Sequence, residues 1–191
     1  MRALEELPDS TQFLVASGSL PPGAPDDFYA EVTKRAGAKG IKVIVDTSGD
    51  ALRKAANVGV YLLKPNLREL SALAGKEEVE HEEQQEAIAR DLIGKGCVEV
   101  LVVSLGAGGV MLVTKDSVRR FRSPSVPIKS KVGAGDSTVG GIVTALARGE
   151  SIEGAVCYGV AAGAAAVMTP GTELCRKEDV EMLYERMGRC M

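Results

Sequence analysis

Tryptophan is absent from the 191 residues, and aromatic residues make up only 4% of them. That scarcity disfavours a binding surface built on aromatic anchors. Histidine occurs once, as His81. The four cysteines, Cys97, Cys157, Cys175 and Cys190, are widely scattered and form no Cys-x-x-Cys pair. A zinc centre or a Cys/His nucleophile therefore has no support, and reduced thiols in a cytoplasmic protein are the expectation. No long basic run is present and the net charge is −3, which argues against nucleic acid as a partner. The longest apolar run, Ala155 to Met168, is shorter than the roughly 20 residues a bilayer span needs. Met1 to Ser10 carries Glu5, Glu6 and Asp9 and no apolar core, so the expectation is that this stretch is not a signal peptide. Two nucleotide-binding signatures are also missing. No Gly-x-x-x-x-Gly-Lys-Ser/Thr excludes a P-loop NTPase, and no Gly-x-Gly-x-x-Gly after the first apolar run disfavours a Rossmann dehydrogenase.

What is abundant is glycine, 22 residues, and aliphatic side chains within a 45% hydrophobic composition. Short apolar runs that read as buried strands occur at Phe13–Ser17, Ile41–Val45, Tyr61–Leu63 and Val98–Val103. Between them the spacing predicts helices over Pro25–Lys39, Asp50–Ala56, Asn66–Leu73 and Glu82–Ile93. Val110–Val113 and Val118–Phe121 read as a hairpin, followed by helices Ser137–Arg148, Ile152–Met168 and Arg176–Met187. Alternating strand and helix argue for a single α/β domain over residues 1–191 with a mostly parallel sheet. Ligands bind such sheets beyond the carboxyl ends of the strands. The polar and glycine-rich segments Ser17–Gly23, Asp46–Gly49, Lys64–Asn66 and Ser104–Gly109 each follow a strand, and so are expected along one edge.

The central stretch is Val132-Gly133-Ala134-Gly135-Asp136, a glycine-rich turn opening into a small-residue helix. Amide N–H groups at a helix N-terminus lack internal partners and favour an anion. Glycine lets a bulky ligand approach the backbone. A carboxylate beside a phosphate cradle can take the proton of an attacking hydroxyl. Capping alone would also place an Asp near a helix start. Asn66 and Glu69, three apart, can hold magnesium through waters or form a capping box; both readings fit. Lys64 can reach a phosphate or lie exposed at a strand end. Ser104–Gly109 is a nucleotide wall or a plain turn, and Ser17 and Ser19 are sugar contacts or ordinary turn residues.

Taken in order, Ser17-Gly18-Ser19-Leu20-Pro21-Pro22-Gly23, Lys64-Pro65-Asn66-Leu67-Arg68-Glu69, Ser104-Leu105-Gly106-Ala107-Gly108-Gly109 and Val132-Gly133-Ala134-Gly135-Asp136-Ser137 resemble the ribokinase-like, PfkB-type carbohydrate kinases. Gly159-Val160-Ala161-Ala162-Gly163 and Gly171-Thr172-Glu173-Leu174-Cys175 strengthen the likeness, which is greatest toward the 6-phosphofructokinases of minor type. The resemblance implies a three-layer αβα fold and transfer of the ATP γ-phosphate to a hydroxyl of a sugar phosphate, fructose 6-phosphate above others. It implies that Asp136 is the general base and that the N–H groups of Gly133, Ala134 and Gly135 form the anion hole. Asn66 and Glu69 would organise Mg2+ and phosphates with Lys64 nearby. Ser104, Gly106 and Gly109 would border the nucleotide, Gly163 would lie near the adenine, and Ser19 and Asp136 would face the sugar. A K+ ion would sit by loops holding Ser130, Val132, Ala166, Thr169 and Gly171. The family's N-terminal strands and β-lid have no counterpart here. The expectation is therefore a C-terminal, nucleotide-side portion whose sugar kinase activity alone is weak or absent. Its partner would be a second copy or a chain completing the missing part. The alternative is a non-catalytic nucleotide-binding or regulatory module.

Overall fold

The structure, a computed structural model, describes residues 2–77, 79 and 81–188. Cys190 lies outside the described residues. The chain divides into two compact units, Met1–Ser104 with Met111–Arg119, and Leu105–Val110 with Arg120–Met191.

The first unit opens with a short helix, α1 (Arg2–Glu5), and then alternates β1 (Phe13–Ser17), α2 (Phe28–Gly37), β2 (Lys42–Asp46), α3 (Gly49–Ala55), β3 (Val60–Leu63), α4 (Leu67–Leu73), α5 (Glu82–Gly94) and β4 (Val98–Ser104). β1 to β4 pair in parallel in chain order. Their apolar runs are continuous because both faces are covered: Ile44, Val45, Leu62, Leu63, Leu101, Val102 and Val103 are fully buried. Helices α2 and α3 pack on β2, and α4 and α5 on β4. α2 begins at Phe28, three residues later than its pattern predicts. The Pro25 carbonyl accepts the Phe28 N–H in a turn that precedes the helix (3.0 Å). The sheet continues with β5 (Val110–Val113) and β6 (Val118–Phe121), in the order β1-β2-β3-β4-β5-β6. Only Thr114–Ser117 joins β5 to β6, too short for a parallel crossover, so they run antiparallel.

The second unit holds a short 3-10 turn (Gly106–Gly108) and three helices, α6 (Ala134–Ala147), α7 (Ile152–Ala166) and α8 (Lys177–Arg186). Small residues let α6 and α7 approach closely. A Cβ on Gly141 would lie 2.9 Å from the Gly159 Cα, and one on Gly159 would lie 2.7 Å from the Thr138 carbonyl oxygen. α7 is buried along nearly its whole length, against α6 on one side and α8 on another. Tyr158 and Tyr184 meet edge to face between α7 and α8, with centroids 5.1 Å apart. Their hydroxyls donate to Glu181 (2.9 Å) and Glu150 (2.8 Å). The expectation of reduced thiols fails at Cys157, which is disulfide-bonded, while Cys97 and Cys175 are free. Separation along the chain sets no lower limit on separation in space. Among the described residues no helix is long and apolar enough to cross a membrane.

Candidate active site

In the first unit the carboxyl ends of β1 to β4 bring together most of the residues singled out there. Register places Ser17 opposite Asp46, and Leu63, which precedes Lys64, opposite Val45. Ser104 bridges to Asn66 and takes the Pro65 carbonyl through its N–H (2.9 Å). Lys64 differs from the exposed strand-end lysine that its position suggests. It is 7% exposed, and its Nζ lies 3.2 Å from Asp46 Oδ1. The reason is the neighbouring strand, which ends in a carboxylate able to neutralise the buried ammonium.

Asn66 and Glu69 form a complete capping box at the start of α4. The Glu69 N–H donates to Asn66 Oδ1 (2.9 Å), and the Asn66 N–H donates to Glu69 Oε2 (2.8 Å). The box uses one oxygen of the Glu69 carboxylate and holds that carboxylate still at a solvent-accessible helix start. This donor set suits a hydrated magnesium ion, which keeps most of its waters and needs few protein oxygens. Among the described residues no cluster of three or more His, Cys, Asp or Glu side chains forms a direct metal cage. Ser19 is exposed on the loop after β1. That loop is tied down at Gly18, whose carbonyl accepts the Thr47 hydroxyl (2.8 Å) and the Tyr29 hydroxyl (3.0 Å).

In the second unit α6 starts at Ala134, three residues before the expected Ser137. Gly133 adopts the left-handed conformation (φ 78°) that lets the chain enter the helix abruptly, and its carbonyl accepts the Ser137 N–H (2.8 Å). Gly133, Ala134 and Gly135 therefore present their amides at a true helix N-terminus, and Asp136 is the third residue of the first turn, exposed. A helix start of this kind can take an anion, and Asp136 places a carboxylate at its rim. Gly163 is buried on α7 against the same turn. A Cβ there would collide with the Thr138 hydroxyl and approach the Ala134 carbonyl (3.1 Å). Its observed task is to let α7 abut the start of α6.

The Leu105–Gly109 loop closes on itself through the Leu105 N–H to the Gly109 carbonyl (2.8 Å). Gly106 is exposed at φ 60°. Gly109 is buried at φ 94°, where a Cβ would collide with the Phe121 carbonyl. The five residues of the suggested cation loops fall into two local hydrogen-bonded groups. The Ser130 hydroxyl donates to the Gly171 carbonyl (2.7 Å) and accepts the Val132 N–H (3.2 Å). Thr169 donates to the Ala166 carbonyl (2.7 Å). These carbonyl and hydroxyl oxygens are the ligand type a monovalent cation takes.

Sequence reasoning put Asp46–Gly49 along the ligand edge without giving Asp46 or Thr47 a role, and missed Tyr29. The polar stretch after β2 was visible, but only the strand register shows that Asp46 faces Lys64.

Residues 1–179 match the model of the pfkB family carbohydrate kinases. The chain belongs to that family. A curated pfkB relative, the ATP-dependent 6-phosphofructokinase isozyme 2 of Mycobacterium tuberculosis, is 44% identical over 176 residues, which is 92% of this chain and 51% of the relative. The crystal structure of phosphofructokinase-2 from Escherichia coli in complex with potassium superposes with a TM-score of 0.91 and 37% identity, covering 98% of this chain and 60% of that one. A ribokinase structure from Arabidopsis thaliana shares the fold at TM-score 0.74 and 23% identity, over 90% of this chain and 55% of that chain. The fold is thus the ribokinase-like three-layer α/β architecture. The chain spans about half the length of the curated pfkB relative it matches.

Proposed function

We propose that this chain is the nucleotide-side portion of an ATP-dependent sugar-phosphate kinase whose acceptor is fructose 6-phosphate. The observation that carries the reading is the start of α6, where a left-handed Gly133 exposes helix amides beside Asp136. The name of the M. tuberculosis relative supports ATP as donor and 6-phosphofructokinase chemistry.

In the proposed reaction Asp136 takes the proton of the sugar hydroxyl as its oxygen attacks the γ-phosphorus. The bond from that phosphorus to the bridging oxygen breaks, and ADP leaves with the electron pair. The amides of Gly133, Ala134 and Gly135 hold the charge that gathers on the transferring phosphoryl. Lys64 binds phosphate oxygens, Ser104, Gly106 and Gly109 border the nucleotide, Gly163 lies near the adenine, and Ser19 meets the sugar phosphate. Asn66 and Glu69 would hold magnesium through waters, where the ion would neutralise phosphate charge. Ser130, Val132, Ala166, Thr169 and Gly171 would supply oxygens to a potassium ion, a reading supported by the potassium complex of the E. coli enzyme. Residues 1–191 act as one α/β domain that pairs with a second copy or a completing chain. A cytoplasmic location would suit an ATP-dependent kinase.

Isothermal titration with Mg-ATP, with and without fructose 6-phosphate, and a coupled turnover assay test the proposal. Saturable ATP binding with weak turnover is expected. Asp136→Ala should keep that binding and lose at least about a hundredfold of the turnover. Binding unchanged and turnover unchanged in Asp136→Ala would sink the catalytic role. Nucleotide binding with no turnover in either protein would favour the non-catalytic module.

A further inference from the structure

We propose that Asp46 is a positioning residue for nucleotide binding, holding the Lys64 ammonium in place for the phosphate chain. The inference rests on the kinase reading above and adds a residue to its site. Register builds the pair. Val45 lies opposite Leu63, so the next residues, Asp46 and Lys64, end adjacent parallel strands on one face of the sheet. The Lys64 N–H donates to the Val45 carbonyl (3.2 Å), and its Nζ lies 3.2 Å from Asp46 Oδ1.

The carboxylate rests on a braced support. The Asp46 carbonyl accepts the Gly18 N–H (2.9 Å). The adjacent Thr47 hydroxyl and the Tyr29 hydroxyl both donate to the Gly18 carbonyl (2.8 and 3.0 Å). These bonds hold the backbone at Asp46, from which its carboxylate reaches Lys64.

An unpaired ammonium at 7% exposure would carry a desolvation penalty. Its four-carbon stem would otherwise turn the charge out to water. Asp46 removes both alternatives. One carboxylate oxygen accounts for one of the three ammonium donors, which leaves capacity for phosphate oxygens. The pair stands at the carboxyl ends of parallel strands, where sheets of this class take their ligands. A lysine fixed before the ligand arrives loses little entropy when it binds.

The test titrates the chain with Mg-ATP, Mg-ADP and AMP. The proteins compared are wild type, Asp46→Asn, Lys64→Met and the double variant, each checked for a native thermal melt. Asp46→Asn and Lys64→Met should each weaken ATP about tenfold while AMP stays within about twofold. The double variant should be no weaker than Lys64→Met alone, because Asp46 acts through Lys64. Asp46→Glu keeps the charge one methylene further out and should give a smaller ATP loss, again sparing AMP. Equal losses for ATP and AMP would overturn the proposal and mark a general structural role. Losses that multiply in the double variant would overturn it too, as would unchanged ATP affinity in Asp46→Asn. A wild-type chain that binds no nucleotide would overturn the kinase reading and this inference together.

Discussion

Gly109 and Gly106 share one loop and one sign of φ, yet they should respond differently to substitution. A Cβ on Gly106 meets nothing within 4 Å, so Gly106→Ala carries only the left-handed backbone cost, about 1 kcal/mol. At Gly109 the same conformational cost is joined by collision with the Phe121 carbonyl and an approach of 2.7 Å to the Ser123 amide. Backbone cannot move aside as a side chain does, so Gly109→Ala should cost on the order of several kcal/mol. Denaturant melts of the two variants check this, and equal destabilisation would refute it. The loop was legible in the sequence as glycine-rich; which glycine the fold cannot spare was not, since Phe121 lies twelve positions away. The same limit applies to Lys64, whose burial depends on Asp46 across a strand pair. Tyr61 gives a pH test at this scale. Burial, and secondarily the Glu99 carboxylate, raise its phenol above the ordinary value of 10.0. The folded chain then holds that proton more tightly than the unfolded one. Stability from this group is intact below about pH 10 and is lost as pH rises through the folded value. Tyr61→Phe should flatten the alkaline limb of the stability curve; an unaltered limb in urea melts above pH 10 would count against the assignment.

Among the elements, the strands were the most legible. β1, β5 and β6 match their sequence expectation residue for residue: apolar runs bounded by turns mark β1 and β5, and the short turn after β5 places Val118–Phe121 as its hairpin partner. Helix starts were less so. α6 begins early because a glycine in the left-handed region can open a helix that polar caps do not announce. The Asn66–Glu69 spacing, by contrast, was readable as a capping box, and the box is formed. Asn66→Ala should destabilise the chain by about 1 kcal/mol through the lost cap. If Asn66 also helps hold magnesium, the variant should need more Mg2+ for half-maximal ATP binding. A melt that shifts without any change in Mg2+ demand would leave the cap as its sole task. The α6–α7 contact was visible only as a run of small residues. Its meaning lies in the spacing: a Cβ on Gly159 would sit 2.5 Å from Ile142 Cγ1 and 2.7 Å from the Thr138 carbonyl. Gly159→Ala should push the helices apart at a cost of about 1–3 kcal/mol. Because α6 carries the candidate anion site, the shift should also weaken ATP binding, read by titration at a temperature where the variant is folded. A fully stable variant with unchanged affinity would show that the close approach is dispensable.

For the molecule as a whole, the open end of the sheet decides how it behaves in solution. β1 stands first in the strand order and pairs only with β2 among the described strands. An edge strand presents alternate backbone N–H and C=O groups to any chain that can align with it. Proteins usually protect such edges with lysine, proline or a bulge, and Phe13–Ser17 carries neither lysine nor proline. Val15, in its middle, is 43% exposed although it is opposite the fully buried Ile44. A second copy supplies an identical apolar strand at no cost in specificity, so edge-to-edge pairing should produce a dimer whose population rises with concentration. Sedimentation velocity across a hundredfold range of concentration reads this directly. Val15→Lys places a charge in the centre of the edge, where burial between two strands would be expensive, and should return the chain to a monomer without altering its melt. Wild-type chain that stays monomeric throughout would mean that the edge is guarded by twist or by neighbouring loops. The proposed pairing partner would then have to dock elsewhere.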